Sequence, residues 1–110
     1  MSKGRPTWVH IDLRALRHNL SRIQARIGPD RGLIGVVKAN AYGHGAVAVT
    51  RCLLGGGVGQ LAVATVAEGL ELRHAGIDAP ILIFAGRYDE DTASLWQANL
   101  EAVVFGDDVL

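Results

Sequence analysis

The chain has 110 residues, 49% of them apolar and 20% charged, and its formal net charge is zero. That length supports one small domain with a core of its own. The balanced charge excludes the basic surplus of a nucleic-acid binder and the acidic tract of a disordered tail. The longest stretch without charge, residues 52–67, carries four glycines and a glutamine, which argues against a membrane span. Residues 1–6 lack an apolar segment after their basic residues, so no secretory signal is expected. Cys52 is the single cysteine, which excludes an internal disulfide and fits a reducing cytoplasm.

Taken in order, Thr7-Trp8-Val9-His10-Ile11 alternates and is β-branched or aromatic, which predicts a short strand. Asp12 is placed to N-cap a helix. Leu13, Leu16, Leu20, Ile23 and Ile27 recur at helical spacing, and Gly28-Pro29 ends the pattern. Residues 33–38 form the second strand, apolar on both faces as in a buried parallel strand. A loop of small and polar residues follows, then a helix over 46–54 closed by Gly55-Gly56-Gly57-Val58-Gly59. Residues 61–65 predict the third strand and 66–75 a helix stopped by Gly76. Pro80 opens a strand over 81–84. Residues 89–99 predict a helix with an acidic first turn, favourable against the helix dipole, and 100–105 a last strand.

From residue 33 the order is β-α-β-α-β-α-β, with each unit near the minimum length of a parallel crossover. That predicts a parallel α/β sheet with right-handed connections. Two closures fit: an open doubly wound sheet, or part of a (β/α)8 barrel. A whole barrel takes about 250 residues, so the second reading makes the chain a portion of a larger protein.

Several features suggest sites and are better read as structure. Gly57-Val58-Gly59-Gln60-Leu61-Ala62 has G-x-G-x-x-A spacing, but a helix precedes it and a strand follows, the reverse of the dinucleotide fingerprint. It reads as a helix end and a connecting loop. His10, His18, His44 and His74 show no ligand spacing, so no metal is expected. His44 stands apart as a residue that could support a site in its loop. Asp89-Glu90-Asp91 reads as a solvated helix start. Arg14, Arg17, Arg22 and Arg26, and likewise Glu68 and Glu71, read as solvated helix faces.

Lys38 is different. It ends a strand, where parallel-sheet enzymes place reactive groups. Ala39, Ala41, Gly43 and Gly45 leave room for a ligand to approach the backbone. The helix starting near Ala46 could turn free N–H groups to an anion at the same edge. An amine, the Tyr42 phenol and an anion-holding helix start describe a site for a phosphorylated carbonyl cofactor.

Val36-Val37-Lys38-Ala39-Asn40-Ala41-Tyr42-Gly43-His44-Gly45 resembles the pyridoxal-phosphate motif of the alanine racemase family through all ten residues. The likeness continues in Arg5-Pro6-Thr7-Trp8, Ile11-Asp12-Leu13 and Leu16-Arg17-His18-Asn19. It extends through Leu61-Ala62-Val63-Ala64-Thr65, Glu68, Glu71-Leu72-Arg73, Ala75-Gly76-Ile77 and Pro80-Ile81-Leu82-Ile83. It weakens from Ala85, and Gly55-Gly56-Gly57 departs from the family's usual loop.

The resemblance implies the N-terminal portion of a pyridoxal 5'-phosphate-binding (β/α)8 TIM-type barrel. Residues 1–31 would be a leading strand and helix, and 32–110 the first βα units. A β-rich C-terminal domain would lie beyond the chain, in a homodimer. In that family the leading strand joins the C-terminal domain, so residues 7–11 would have no local partner. Lys38 matches the lysine that carries the cofactor as a Schiff base and acts as a base on D-alanine. Tyr42 matches a tyrosine on the cofactor phosphate, and Val36 and Phe84 match positions lining the cofactor. The implied activity is interconversion of L- and D-alanine, supplying D-alanine for peptidoglycan in the cytoplasm. The opposing base and the partner of the pyridine nitrogen would lie beyond residue 110, so the chain alone is expected to be inactive. A serine or broad-specificity racemase, more distantly a decarboxylase of the same barrel group, and a non-catalytic cofactor-binding protein are the alternatives.

Overall fold

The computed structural model describes residues 4, 6–84, 92–104 and 106. The Asp12 carboxylate accepts the N–H groups of Arg14 at 3.0 Å and Ala15 at 3.1 Å, and so caps α1, Leu13–Ile27. Gly28 ends that helix at φ 85°, a left-handed value open to glycine. There follow β1 (Ile34–Val36), a short turn α2 (Lys38–Tyr42), α3 (Ala46–Gly55), β2 (Gln60–Val63), α4 (Val66–His74), β3 (Ile81–Ile83), α5 (Thr92–Gln97) and β4 (Glu101–Ala102).

The strands lie in the order β1-β2-β3-β4, every pair parallel. A doubly wound sheet reverses its strand order at a switch point. None of these four strands does so, and the sequential order is that of an arc of a (β/α)8 barrel. Leu61 pairs with Gly35 and Ile81, and Val63 pairs with Ile83, so these positions share one face. That face is the helix side: a Cβ on Gly35 would meet Leu53 of α3 at 2.8 Å. Leu61, Val63, Ile81 and Ile83 are buried there with Leu72 of α4 and Val49 of α3. The other face carries Val36, Ala62, Leu82 and Glu101 in register.

β1 corrects the expectation of a strand buried on both faces. Ile34 and Val36 are 49% and 37% exposed. Among the described residues β1 has a neighbour on one edge only, and no layer covers its second face. Residues 7–11 form no strand and join no ladder among the described residues, and Trp8 and Val9 are about four-fifths exposed, at 79% and 80%. Alternation gives them strand character but not a partner. The last helix begins at Thr92, so the acidic residues 89–91 of the expected first turn lie outside the described residues, as does Phe105 of the last strand.

Two contacts lock the helical layer. Gln24 Nε2 donates to the Gly56 carbonyl at 2.7 Å, fastening α1 to the end of α3. A Cβ on Gly56 would collide with Leu20 Cδ2 and stand 3.0 Å from Arg17 Nε, so the glycine run there admits α1 closely. At the opposite flank Arg73 donates to the carbonyls of Ile77, Ala79, Ala98 and Asn99, joining the loop after α4 to the loop before β4.

Candidate functional site

The ladder runs one residue past β1: Val37 N–H donates to the Ala62 carbonyl at 2.9 Å. Lys38 follows at the C-terminal edge of the sheet, half-buried. Continuing the register by two residues from Ala62 and Leu82 places Ala64 and Phe84 in the next layer of the same face, and Lys38 stands beside them at that edge, where Val37 (φ −124°, ψ 25°) turns the chain out of the strand. Phe84 N–H donates to the Val63 carbonyl at 2.9 Å, which fixes it at that edge.

The segment after Lys38 is not an open loop. Ala39, Asn40, Ala41 and Tyr42 have φ of 51°, 55°, 54° and 57°. These are left-handed helical values, the mirror of an ordinary helix. Ala41 N–H donates to Val37 O at 2.9 Å and Gly43 N–H to Ala39 O at 3.0 Å, so α2 is one closed left-handed turn. Four positions separate Lys38 from Tyr42, close to one turn, which puts them on the same side. Tyr42 is 59% exposed.

The sequence explains how such a turn is tolerated. Each L-residue in this conformation costs roughly 1–2 kcal/mol, and asparagine bears it better than most. Asn40 Oδ1 also accepts the N–H of Ala46, the first donor of α3, at 2.8 Å. Gly43 and Gly45 continue at φ 85° and 96°, where a side chain would be strained. A Cβ on either would meet nothing within 4 Å, so conformation, not crowding, selects glycine there. His44 Nδ1 lies 3.0 Å from the Ala41 carbonyl and 3.1 Å from that of Tyr42. Carbonyls only accept, so Nδ1 carries the proton in these bonds. The expected supporting role of His44 thus takes a definite form, binding carbonyls of the turn.

Three expectations about this loop change. Ala41 is buried in the core and leaves no room for a ligand. The α3 start is less free for an anion, because its first N–H is taken by Asn40. Glu68 is no solvated residue: its carboxylate accepts Ala64 N–H at 2.7 Å, Thr65 N–H at 3.1 Å and Ala39 N–H at 2.6 Å. The Thr65 bond belongs to a capping box, since Thr65 Oγ1 accepts Glu68 N–H in return. Thr65-x-x-Glu68 announces that box in the sequence. Its bond to Ala39, 29 residues away, is visible only in the fold. Glu71 is exposed, as expected.

Along the open edge of β1 a groove of about 660 Å³ runs beside α1, with Leu16, Ile34, Val36, Tyr42 and His44 among its walls. Among the described residues no group of three His, Cys, Asp or Glu side chains could hold a metal ion. No helix among them is long and apolar enough to cross a membrane.

A sequential parallel arc with a lysine at the end of its first strand defines the class: the opening portion of a (β/α)8-type barrel, with an amine at the C-terminal rim of its strands. Comparison narrows it. Residues 11–110 match the family model described as alanine racemase, N-terminal domain. The chain is 43% identical over 100 residues to an alanine racemase of Desulforamulus reducens, covering 91% of this chain and 27% of the relative. It is 48% identical over 102 residues to that of Geobacter sp. strain M21, covering 93% and 27%. Among solved structures, the alanine racemase of Bacillus anthracis with bound L-Ala-P superposes with a TM-score of 0.92 at 38% identity, over 99% of this chain and 28% of that one. The alanine racemase of Clostridium difficile 630 superposes with a TM-score of 0.87 at 42% identity, over 94% and 28%. The chain belongs to the alanine racemase N-terminal-domain family. It spans about a quarter of the length of these relatives.

Proposed function

We propose that this chain is the opening portion of a pyridoxal 5'-phosphate-dependent alanine racemase that interconverts L- and D-alanine. In this reading residues 1–31 supply a leading strand and helix, residues 32–110 the first βα units, and a β-rich C-terminal domain follows. The observation that carries it is Lys38, a primary amine at the C-terminal end of the first barrel strand, set on a closed left-handed turn that ends in Tyr42. Family membership supports the substrate.

The donor set fits the cofactor. One half-buried amine, one phenol a turn away, and apolar Val36 and Phe84 on the same sheet face suit an aldehyde, a phosphate and a flat ring. When bound, pyridoxal phosphate supplies the carbonyl that takes the amine and the ring that takes up charge at the substrate α-carbon. Lys38 would hold the cofactor through Nζ, and the same amine, when free, would move the α-proton on one face. The Tyr42 phenol donates to a phosphate oxygen. Val36 and Phe84 pack beside the ring and exclude water. A proton must also move on the opposite face, and we assign that base to a part of the enzyme outside this chain, as in a homodimer whose subunits complete each other's sites. D-Alanine for peptidoglycan, made in the cytoplasm, is the corresponding role.

The test uses the full-length protein that carries this chain. Borohydride reduction followed by peptide mapping is expected to place the pyridoxyl label on Lys38, and label on another residue rejects the site. Alanine is expected to racemise faster than serine, lysine or arginine. A preference for one of those substrates, or a loaded protein without turnover, rejects the activity.

A further inference from the structure

We propose that Glu68 is a positioning residue for Lys38: its carboxylate clamps the left-handed turn on which the lysine is presented. The inference rests on reading Lys38 as the cofactor lysine, and it concerns a residue three elements further along the chain. Glu68 sits in the first turn of α4, where the capping box alone would account for one oxygen. Oε1 accepts both Ala64 N–H and Thr65 N–H. Oε2 is left over, and it takes the N–H of Ala39, the residue directly after Lys38, at 2.6 Å. One side chain therefore joins the ends of two adjacent strands at the rim where Lys38 stands.

The turn needs such a clamp. Ala39, Asn40, Ala41 and Tyr42 all hold positive φ, against the preference of L-residues. Its later residues are held by neighbours: Asn40 by Ala46, and the carbonyls of Ala41 and Tyr42 by His44. Its first peptide N–H, the one that sets the direction of the chain as it leaves Lys38, is held by Glu68. A bond to a charged acceptor is the strong kind, and a carboxylate can serve three donors where an amide oxygen with its NH2 group cannot.

The chemistry of glutamine makes the test selective. Glu68→Gln keeps the size but leaves one acceptor oxygen: with that oxygen on the Ala64 and Thr65 N–H groups, a donor NH2 stands against Ala39 N–H and the bond to the turn is lost. Thr65→Ala removes only the bond from Glu68 N–H and leaves all three bonds to the carboxylate. In the full-length protein without cofactor, amide exchange in a peptide spanning residues 38–45 is expected to quicken about tenfold or more in Glu68→Gln, and to stay within about twofold of the parent in Thr65→Ala. With cofactor bound, pyridoxal phosphate release is expected to quicken by a similar factor in Glu68→Gln only, with a changed visible circular dichroism band. Equal effects in the two variants, or unchanged exchange over 38–45 in Glu68→Gln, overturn the clamp.

Should Glu68→Gln not fold, lactic acid in place of Ala39 deletes the same N–H while leaving Glu68 and α4 intact. It must reproduce the faster exchange or the clamp is rejected. The exchange measurement needs no cofactor. Faster exchange together with a pyridoxyl label elsewhere than Lys38 would therefore overturn the functional reading and with it Glu68's role towards the cofactor. Normal exchange with the label on Lys38 would overturn the clamp alone.

Discussion

Thr50 is fully buried in α3, and its hydroxyl finds no hydrogen-bond partner among the described residues. A buried hydroxyl left unpaired forfeits its hydration and receives nothing in exchange. Valine has nearly the same shape without that demand. Thr50→Val is therefore expected to raise stability by about 1 kcal/mol, read as a higher urea midpoint at an unchanged slope. Arg73 stands at the other extreme. Its guanidinium donates to four carbonyls at 2.7 to 3.0 Å, and each belongs to a loop at the N-terminal end of the strands. That end of a barrel serves stability, while the opposite end serves chemistry. The two residues separate those duties: Arg73 braces the bottom of the arc, and Lys38 stands at its top.

At the scale of elements, the left-handed turn Lys38–Tyr42 concentrates unfavourable backbone conformation beside the Lys38 amine. Ala39 is exposed, so Ala39→Gly should relieve strain without opening a cavity and raise stability by about 0.5–1 kcal/mol. Asn40→Ala should lower it by about 1–2 kcal/mol, through loss of the bond to Ala46 and of asparagine's tolerance for positive φ. Thermal unfolding of both variants checks the pair, and destabilisation by Ala39→Gly would contradict the strain. Most regular elements could be read from the sequence because each carries a local cause. Asp12 caps α1, the glycines at 28 and 76 stand at left-handed turns after helices, and Leu61 to Val63 is an unbroken apolar run. The turn could not be read that way. Ala-Asn-Ala-Tyr has no glycine to flag a positive φ, and the bonds that hold it come from Ala46, His44 and Glu68. Lys38 itself was legible through its strand end and its motif. Glu68 looked like one more helix-surface acid, because a capping box hides the oxygen that reaches elsewhere.

At the scale of the molecule, the four strands make an arc with one face dressed by helices and the other carrying Ile34, Val36 and Leu82. β1 pairs along one edge only among the described residues, and a groove beside it leads from α1 to Tyr42. Unpaired strand edges and an uncovered apolar face invite association. The 110-residue chain purified alone is expected to self-associate with rising concentration in sedimentation velocity, and to racemise alanine at no detectable rate. A monodisperse monomer would show that the arc needs no cover, and detectable racemisation would show that one face of the site suffices.

The bond from Ala39 to Glu68 also sets an order in time. Twenty-nine residues of chain separate the two. At about 5–20 residues per second of synthesis, Lys38 emerges on the order of seconds before the carboxylate that fixes its turn. During that interval only the bonds to Ala46 and His44 are available to hold the left-handed turn, and its first N–H lacks the acceptor that fixes it in the folded chain. The nascent chain thus carries Lys38 ahead of a turn whose first N–H stays unclamped until the second βα unit has been made.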